Sequence, residues 1–499
     1  MTQPRPPFPP AQPRRPALHR RPAAALATLA TLAGCATYAP RPLPQTVTLP
    51  GSVQALSVRA DQLPFARLRA HRFDPSDGLD IDEVAMLAVA HNPQLRLARD
   101  GLGLARAQAF AAGLLPDPQL GITADHPTNG TAGNTNAFNL NLGYDVGALL
   151  ARSSRRAAAG AEVQRVNLDL LWQEWQVVSQ ARLLFTRLRA QQQLLATLQQ
   201  GQALLSSAAR RSRQALEAGN VTLDTSVSDL AALQVVERQI NELERARLQD
   251  RVALTSLLGL APGTKLDLVG EPASSSGSSG SPGSAAPDAV PGTPSGALPK
   301  AVTDTAADAA ALRAGLVPRL AKRPDLLALQ AGYRSQEAVF RGAVLAQFPS
   351  LNVGLTRARD TSGLYTMGFG LSLSLPIFNA NRGNIAIERA TRTRLYDEYQ
   401  QRLASAETEV EAALANIPLL QAQQQRTDAA VTALGQLARR ADLAFGQGNL
   451  TAADHTRLTT AWLDKQVESL QLHEALAEQR IALDTLLGPE TPANPEMPR

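Results

Sequence analysis

The sequence predicts a mainly α-helical protein with some membrane β-structure, built as a duplicated repeat of helix, strand, strand, long helix and helix. Three observations predict it. The stretch from Thr366 to Leu375 places Met367, Phe369, Leu371, Leu373 and Leu375 on one face and Gly368, Gly370, Ser372 and Ser374 on the other. Such strict alternation marks a strand with one apolar and one polar face, and about ten residues suit a tilted strand crossing a bilayer. Residues 152–217 can form a single helix, about 100 Å long at the usual rise per residue. Its apolar seam of Leu168, Leu171, Trp175, Val178, Phe185, Leu188, Leu195 and Leu198 is spaced as in a coiled coil. Finally, the whole plan occurs twice. Pro93 and Pro118 recur as Pro324 and Pro349, and Leu140–Val146 recurs as Leu371–Ile377. Gly219-Asn220 recurs as Gly448-Asn449, each the same distance ahead of a Leu-Leu-Gly, at Gly259 and Gly488.

Residues 1–34 read as an export signal, with Arg5, Arg14, Arg15, Arg20 and Arg21 ahead of a short apolar segment from Ala23 to Gly34. The segment ends in Leu32, Ala33, Gly34 and Cys35, which looks like the processing box of bacterial lipoproteins. That likeness implies that Cys35 is lipidated, with palmitate among its acyl chains, and becomes the first mature residue. The absence of Asp at Ala36 implies sorting to the outer membrane. The other reading of Cys35 is a free thiol behind an ordinary signal peptide. The five arginines account for the whole formal charge of +5, so the high isoelectric point belongs to the targeting segment and no nucleic-acid partner is expected. Cys35 is the only cysteine, which excludes an intrachain disulfide and multi-cysteine metal sites. No later segment has 18 unbroken apolar residues, so no transmembrane helix is expected.

Residues 35–78, rich in Pro and Arg and without periodicity, read as an extended tether. The first repeat spans 79–260. Asp80 or Asp82 caps a helix running to about Gly113, and capping explains this acidic cluster better than a metal site does. Leu114–Pro118 breaks the helix, and strands follow near Gln119–Asp125 and over Phe138–Val146. Trp172 and Trp175 fit the seam of the long helix as packing residues rather than a ligand box. After Gly219-Asn220 a helix returns over Asp224–Leu258. The first and last helices together match the long one in length, so they can lie end to end beside it. A linker at 261–305, Ser/Gly/Pro/Ala-rich between Glu271 and Lys300, joins the second repeat at 306–490, and 491–499 is a tail. Pro418 falls inside the second long helix, where a kink is expected.

Two strands per repeat give four per chain, too few to close a barrel, and an open edge in lipid leaves backbone groups without partners. Spanning strands therefore require an oligomer. The duplicated plan, the strand end at Leu375–Asn379, the Gly-Asn turns and the Leu-Leu-Gly ends resemble the TolC family of outer-membrane efflux ducts, and the lipobox is similar to its lipoprotein branch. The resemblance covers about residues 79–490. It implies a homotrimer whose 12-stranded outer-membrane β-barrel is continuous with a long periplasmic α-helical barrel. Such a duct is lipid-anchored in the outer membrane and docks a periplasmic adaptor (membrane fusion) protein and an inner-membrane pump. It passively conducts small molecules or metal ions, without catalytic residues or cofactors. The resemblance also implies that Gly219, Asn220, Gly448 and Asn449 form adaptor-docking tips. In the family an acid six positions after the tip glycine forms a gate ring, which here is Asp454. Arg457 occupies the further acidic position, and Asp224 in the first repeat falls one position early. Thr451 and Asp454 also read as a variant capping box. The chain departs from the family plan in placing Asp145 where the second repeat has Pro376.

Two other readings remain. A periplasmic coiled-coil adaptor or scaffold lipoprotein fits the helices but not two repeats with alternating strands. An enzyme has little support: His19, His71, His91, His126, His455 and His473 show no paired metal-ligand spacing, and there is no phosphate loop or nucleophile elbow.

Overall fold

A computed structural model describes residues 38–128, 133–270 and 306–489. The chain divides into an N-terminal unit, Met1–Thr48, and a second unit, Leu49–Arg499. In the first, residues 38–48 contain no helix or strand and their side chains are exposed. The second unit carries both halves of the duplication. One half comprises α1 (Ile81–His91), α2 (Pro93–Gly113), β1 (Gln119–Asp125), β2 (Ala137–Asp145), α3 (Val146–Glu217) and α4 (Leu223–Leu257). The other begins with two short helices, Ala306–Ala314 and Leu316–Leu320. It continues with α5 (Pro324–Leu345), β3 (Ser350–Arg359), β4 (Tyr365–Ser374), α6 (Arg382–Gly446) and α7 (Ala452–Leu487).

Local chemistry sets most of the boundaries. Asp80 caps α1 in a full capping box, accepting from the Glu83 N–H at 2.7 Å while Glu83 accepts from the Asp80 N–H at 3.0 Å. The single helix expected up to Gly113 is in fact two. Pro93 has no N–H and disfavours helical backbone at Asn92. Asn92 therefore turns out to ψ 125 and caps α2, accepting from the N–H groups of Gln94 and Leu95 at 2.9 and 3.0 Å. The long helix α3 starts at Val146, earlier than expected, because the Asp145 carboxylate accepts from the Ala148 N–H at 2.8 Å and ends β2 there. The second half has Pro376 instead and needs a turn, with Ala380 and Asn381 at φ 45 and 53, before α6 begins. Asn381 holds that turn by donating from Nδ2 to the Ala343 carbonyl at 2.8 Å. The helix α6 continues through Pro418.

Residues 49–78 are not an extended tether. Val53, Leu56, Leu63, Phe65 and Leu68 are buried, and the Phe65 ring meets Trp175 edge-on at 5.2 Å. These apolar residues are scattered without a helical or strand period, so each packs individually and no periodicity announces them.

The helix α3 forms the spine. Its first half packs on α1, α2 and α5, and its second half on α4 and α7. The end-to-end stacking expected of the shorter helices is present. Asn92 donates from Nδ2 to the carbonyl of Leu257, the last residue of α4, at 3.0 Å. Arg323, just before Pro324, likewise donates from Nη1 to the Leu486 carbonyl near the end of α7 at 2.9 Å. The two halves are joined along α3 and α7. Trp175 donates from Nε1 to the Thr485 carbonyl at 3.2 Å, and the Leu463 side chain lies where a Cβ on Gly201 would stand.

Candidate functional site: strand faces, helix tips and gate

The four strands form one antiparallel sheet in the order β1-β2-β3-β4. Its register sorts the side chains by chemistry. One face carries the row Leu120, Leu142, Leu355, Phe369, with Tyr144, Val353 and Leu371 beside it. The other carries Gly121, Asn141, Thr356, Gly368 and then Gly143, Gly354, Gly370. Alternation along each strand thus becomes an apolar face and a polar, small-residue face across the sheet. Among the described residues the outer edges of β1 and β4 have no partner strand. At the loop end the apolar face changes character. Arg357 and Arg359 replace aliphatic residues on β3, Arg359 lies over Tyr365 at 5.5 Å, and Phe138 meets Tyr365 edge-on at 6.2 Å. Rings and guanidinium groups at this level are the composition of a membrane–water interface. The pairing of Phe138, Arg359 and Tyr365 runs across three strands, and alternation within one strand does not reveal it.

The turns Gly219-Asn220 and Gly448-Asn449 end α3 and α6 in the same way. The Gly219 N–H donates to the Leu216 carbonyl at 3.0 Å and the Asn220 N–H to Ala215 at 2.8 Å. Gly448 donates to Phe445 at 3.0 Å and Asn449 to Ala444 at 2.8 Å. Both are Schellman motifs, which need a left-handed residue; the glycines supply φ 75 and 76. Gly259 and Gly488, at the Leu-Leu-Gly ends, are also left-handed at φ 66 and 78.

Asp454 lies in the first turn of α7 and is partly exposed. Its N–H donates to the Thr451 hydroxyl at 3.1 Å, the hydroxyl donates back to its carboxylate at 2.7 Å, and Arg457 pairs with it at 3.2 Å. The capping arrangement is therefore present. Asp224 also lies in the first turn of α4, but one position earlier; Thr225 holds the place corresponding to Asp454, its N–H donating to the Thr222 hydroxyl at 3.4 Å. Near the second tip, His455 pairs with Asp442 at 2.5 Å, and its ring stacks on Phe445 at 4.7 Å. Arg211 of α3 lies over the same Phe445 ring at 5.7 Å, linking the two hairpins. Cys35 lies outside the described residues.

Where α3, α4 and α7 meet, Arg187 pairs with Glu478, and Gln191 donates to Asp250 at 2.6 Å. Burial, then Glu478 and Asp250, push the Glu474 carboxyl up to about 7 against the pull of Arg187. Higher up, burial would raise the Asp82 carboxyl, but Arg182 and Arg67 hold it below its ordinary value. Among the described residues no group of three or more His, Cys, Asp or Glu could hold a metal ion. Among them, too, no helix is long and apolar enough to cross a membrane.

A duplicated helical hairpin attached to a small sheet, apolar on one face and open at both edges, defines a class of membrane channel. The family described as outer membrane efflux protein matches residues 305–489, from the short helices before α5 to the end of α7. None of the curated proteins matches the chain by sequence. Among solved structures, the outer-membrane channel OprN has a TM-score of 0.65 at 16% identity, covering 91% of this chain and 99% of that one. The open state of the MtrE outer membrane channel of Neisseria gonorrhoeae scores 0.63 at 17% identity, over 92% and 99%. The CmeC outer membrane channel of Campylobacter jejuni scores 0.63 at 18% identity, over 83% and 86%. At these identities the likenesses establish the fold. The chain thus matches the outer membrane efflux protein family over residues 305–489, repeats the same plan in its first half, and has the fold of these channels. It is an outer-membrane channel and not an enzyme.

Proposed function

We propose that the chain is the exit duct of a tripartite efflux system, working as a homotrimer with a periplasmic adaptor and an inner-membrane pump. The observation that carries this is the four-stranded sheet with an apolar face and two unpaired edges. Three copies joined edge to edge give twelve strands and leave no backbone group unpaired in lipid. The polar, glycine-rich face then lines water and the apolar face meets lipid. The helices below form a continuous wall, with the adaptor docking at Gly219, Asn220, Gly448 and Asn449. Cys35 anchors the chain by lipid, and labelled palmitate carried by the wild-type chain but not by Cys35→Ser is the expected sign.

In this reading Asp454 serves as the gate. Three copies of its carboxylate around one axis repel one another and draw in cations, while each remains bonded to Thr451. The experiment is conductance of the purified protein in planar bilayers. The reading expects a channel blocked by divalent or trivalent cations, with Asp454→Asn relieving the block and leaving oligomer stability nearly unchanged. Absence of conductance counts against the duct. Persisting block with a loss of thermal stability leaves Asp454 as a helix cap alone.

A further inference from the structure

Gln191 of α3 donates from Nε2 to Asp250 of α4 at 2.6 Å, which fixes the register of the first hairpin. Carried towards the tip in heptads, that register sets Leu198 level with Leu243, Leu205 with Val236, and Ser212 with Asp229. The two middle layers belong to one buried apolar cluster. Ser212 and Asp229 are buried as well, at 3% and 1% exposure. Yet neither carboxylate oxygen of Asp229 nor the Ser212 hydroxyl has a hydrogen-bond partner among the described residues. Serine is too short to do what Gln191 does three heptads above, although Gln191 itself leaves its carbonyl oxygen unpaired. Because Asp229 is already buried within one chain, a neighbouring copy packed on the outside of the hairpin cannot satisfy it. Buried polar groups without partners weaken the packing around them.

The second hairpin shows the contrast. Its layers are Asp428 with Ser469, whose hydroxyl donates at 2.6 Å, Gly435 with the Trp462 ring, and Asp442 paired with His455 at 2.5 Å. Placed by the tip glycines, the positions equivalent to Ser212 and Asp229 hold Ala441 and Leu458, both apolar. In the second hairpin the Thr460 hydroxyl of α7 also lacks a partner among the described residues, but an unpaired layer with a carboxylate is particular to the first. Arg211 ties the end of α3 to Phe445 of the second hairpin. The facing turns of α4 instead expose Leu223, Val227 and Leu230.

We propose that the Ser212–Asp229 layer is a release point built into the first hairpin. Residues 223–235 of α4 peel from α3 as a unit, hinged at the Leu205–Val236 layer, while the α6/α7 hairpin stays closed. The peeling is a property of the hairpin itself. Only its use, as a movable tip at the periplasmic end, rests on the duct reading above.

Amide hydrogen exchange on the full chain in detergent tests this, with two variants. Ser212→Gln copies the Gln191–Asp250 layer, and Asp229→Leu carries over Leu458, the residue the same distance past the tip glycine in the second hairpin. In the wild type, residues 223–235 should exchange about tenfold or more faster than residues 452–464 of α7, and each variant should slow them by about tenfold. Equal exchange of the two segments in the wild type, or no slowing in either variant, overturns the release point. Efflux measured in cells separates this from the duct reading. Slowed exchange with reduced efflux supports the movable tip, and slowed exchange with wild-type efflux overturns it. Absence of efflux by the wild type itself counts against the duct alone.

Discussion

Arg182 and Arg323 are buried arginines that join parts of the chain far apart in sequence. Arg182 pairs with Asp82 at 2.8 Å and reaches Asp484 at 3.4 Å. Arg323 pairs with Asp325 at 2.7 Å and lies 4.7 Å over the Trp172 ring. Trp172 and Trp175 read as packing residues from their place in the α3 seam, and they are. That their partners would be Arg323 and the Thr485 carbonyl was not legible, because residues more than a hundred positions apart carry no local signal of contact. Glu474 gives the residue-scale prediction. Burial first, then Glu478 and Asp250, keep its proton on to about 7, against an ordinary 4.5. On the α6 side, Asp428 faces His473 and Ser469 instead. The folded chain thus holds a proton that the unfolded chain releases, so this carboxyl's contribution to stability falls as pH rises from 4.5 through about 7. Thermal unfolding of the wild type should lose stability between about pH 5 and about pH 8, and Glu474→Gln should flatten that slope. An unchanged slope in the variant would assign the loss to other groups.

At the scale of elements, strands and helices were legible wherever one face repeats. β4 was read to within a residue, as were β1 and the returning helix α4, because each carries its own period or cap. The division of α1 from α2 was missed although Pro93 stands in plain view; the helical pattern continues across it, and only the capping role of Asn92 marks the break. The early start of α3 turns on Asp145, which reads equally well as a polar strand residue. β3 is the strand on which the lipid-facing assignment is best tested. Leu355 lies near its middle on the apolar face and Thr356 on the other. Leu355→Arg should cost about 2–4 kcal/mol of stability, as an arginine does near a bilayer midplane. Thr356→Arg should fold normally and change conductance. Leu373, next to the last residue of β4, lies nearer the end of the sheet, so arginine there should cost less. Equal tolerance at Leu355 and Thr356 in urea or thermal unfolding would remove the assignment of faces.

For the whole molecule, the duplication was the most legible feature, because identical spacings survive where side chains differ. The gate and docking tips were reached through family resemblance, and a single chain fixes their local geometry without bringing three copies to one axis. Closure of the barrel is the claim on which the account rests: β1 of one copy must pair with β4 of the next. Disulfide cross-linking between those edges tests it directly. In a Cys35→Ser background, one cysteine is placed along β1, at Gly121 or Thr123, and one along β4, at Gly368 or Gly370, and the outer-membrane protein is oxidised and run on denaturing gels. The account predicts covalent dimers and trimers, reversed by reductant, for at least one pairing and none when either cysteine is present alone. Only monomers across all pairings, in protein that is otherwise folded and in the outer membrane, would contradict it.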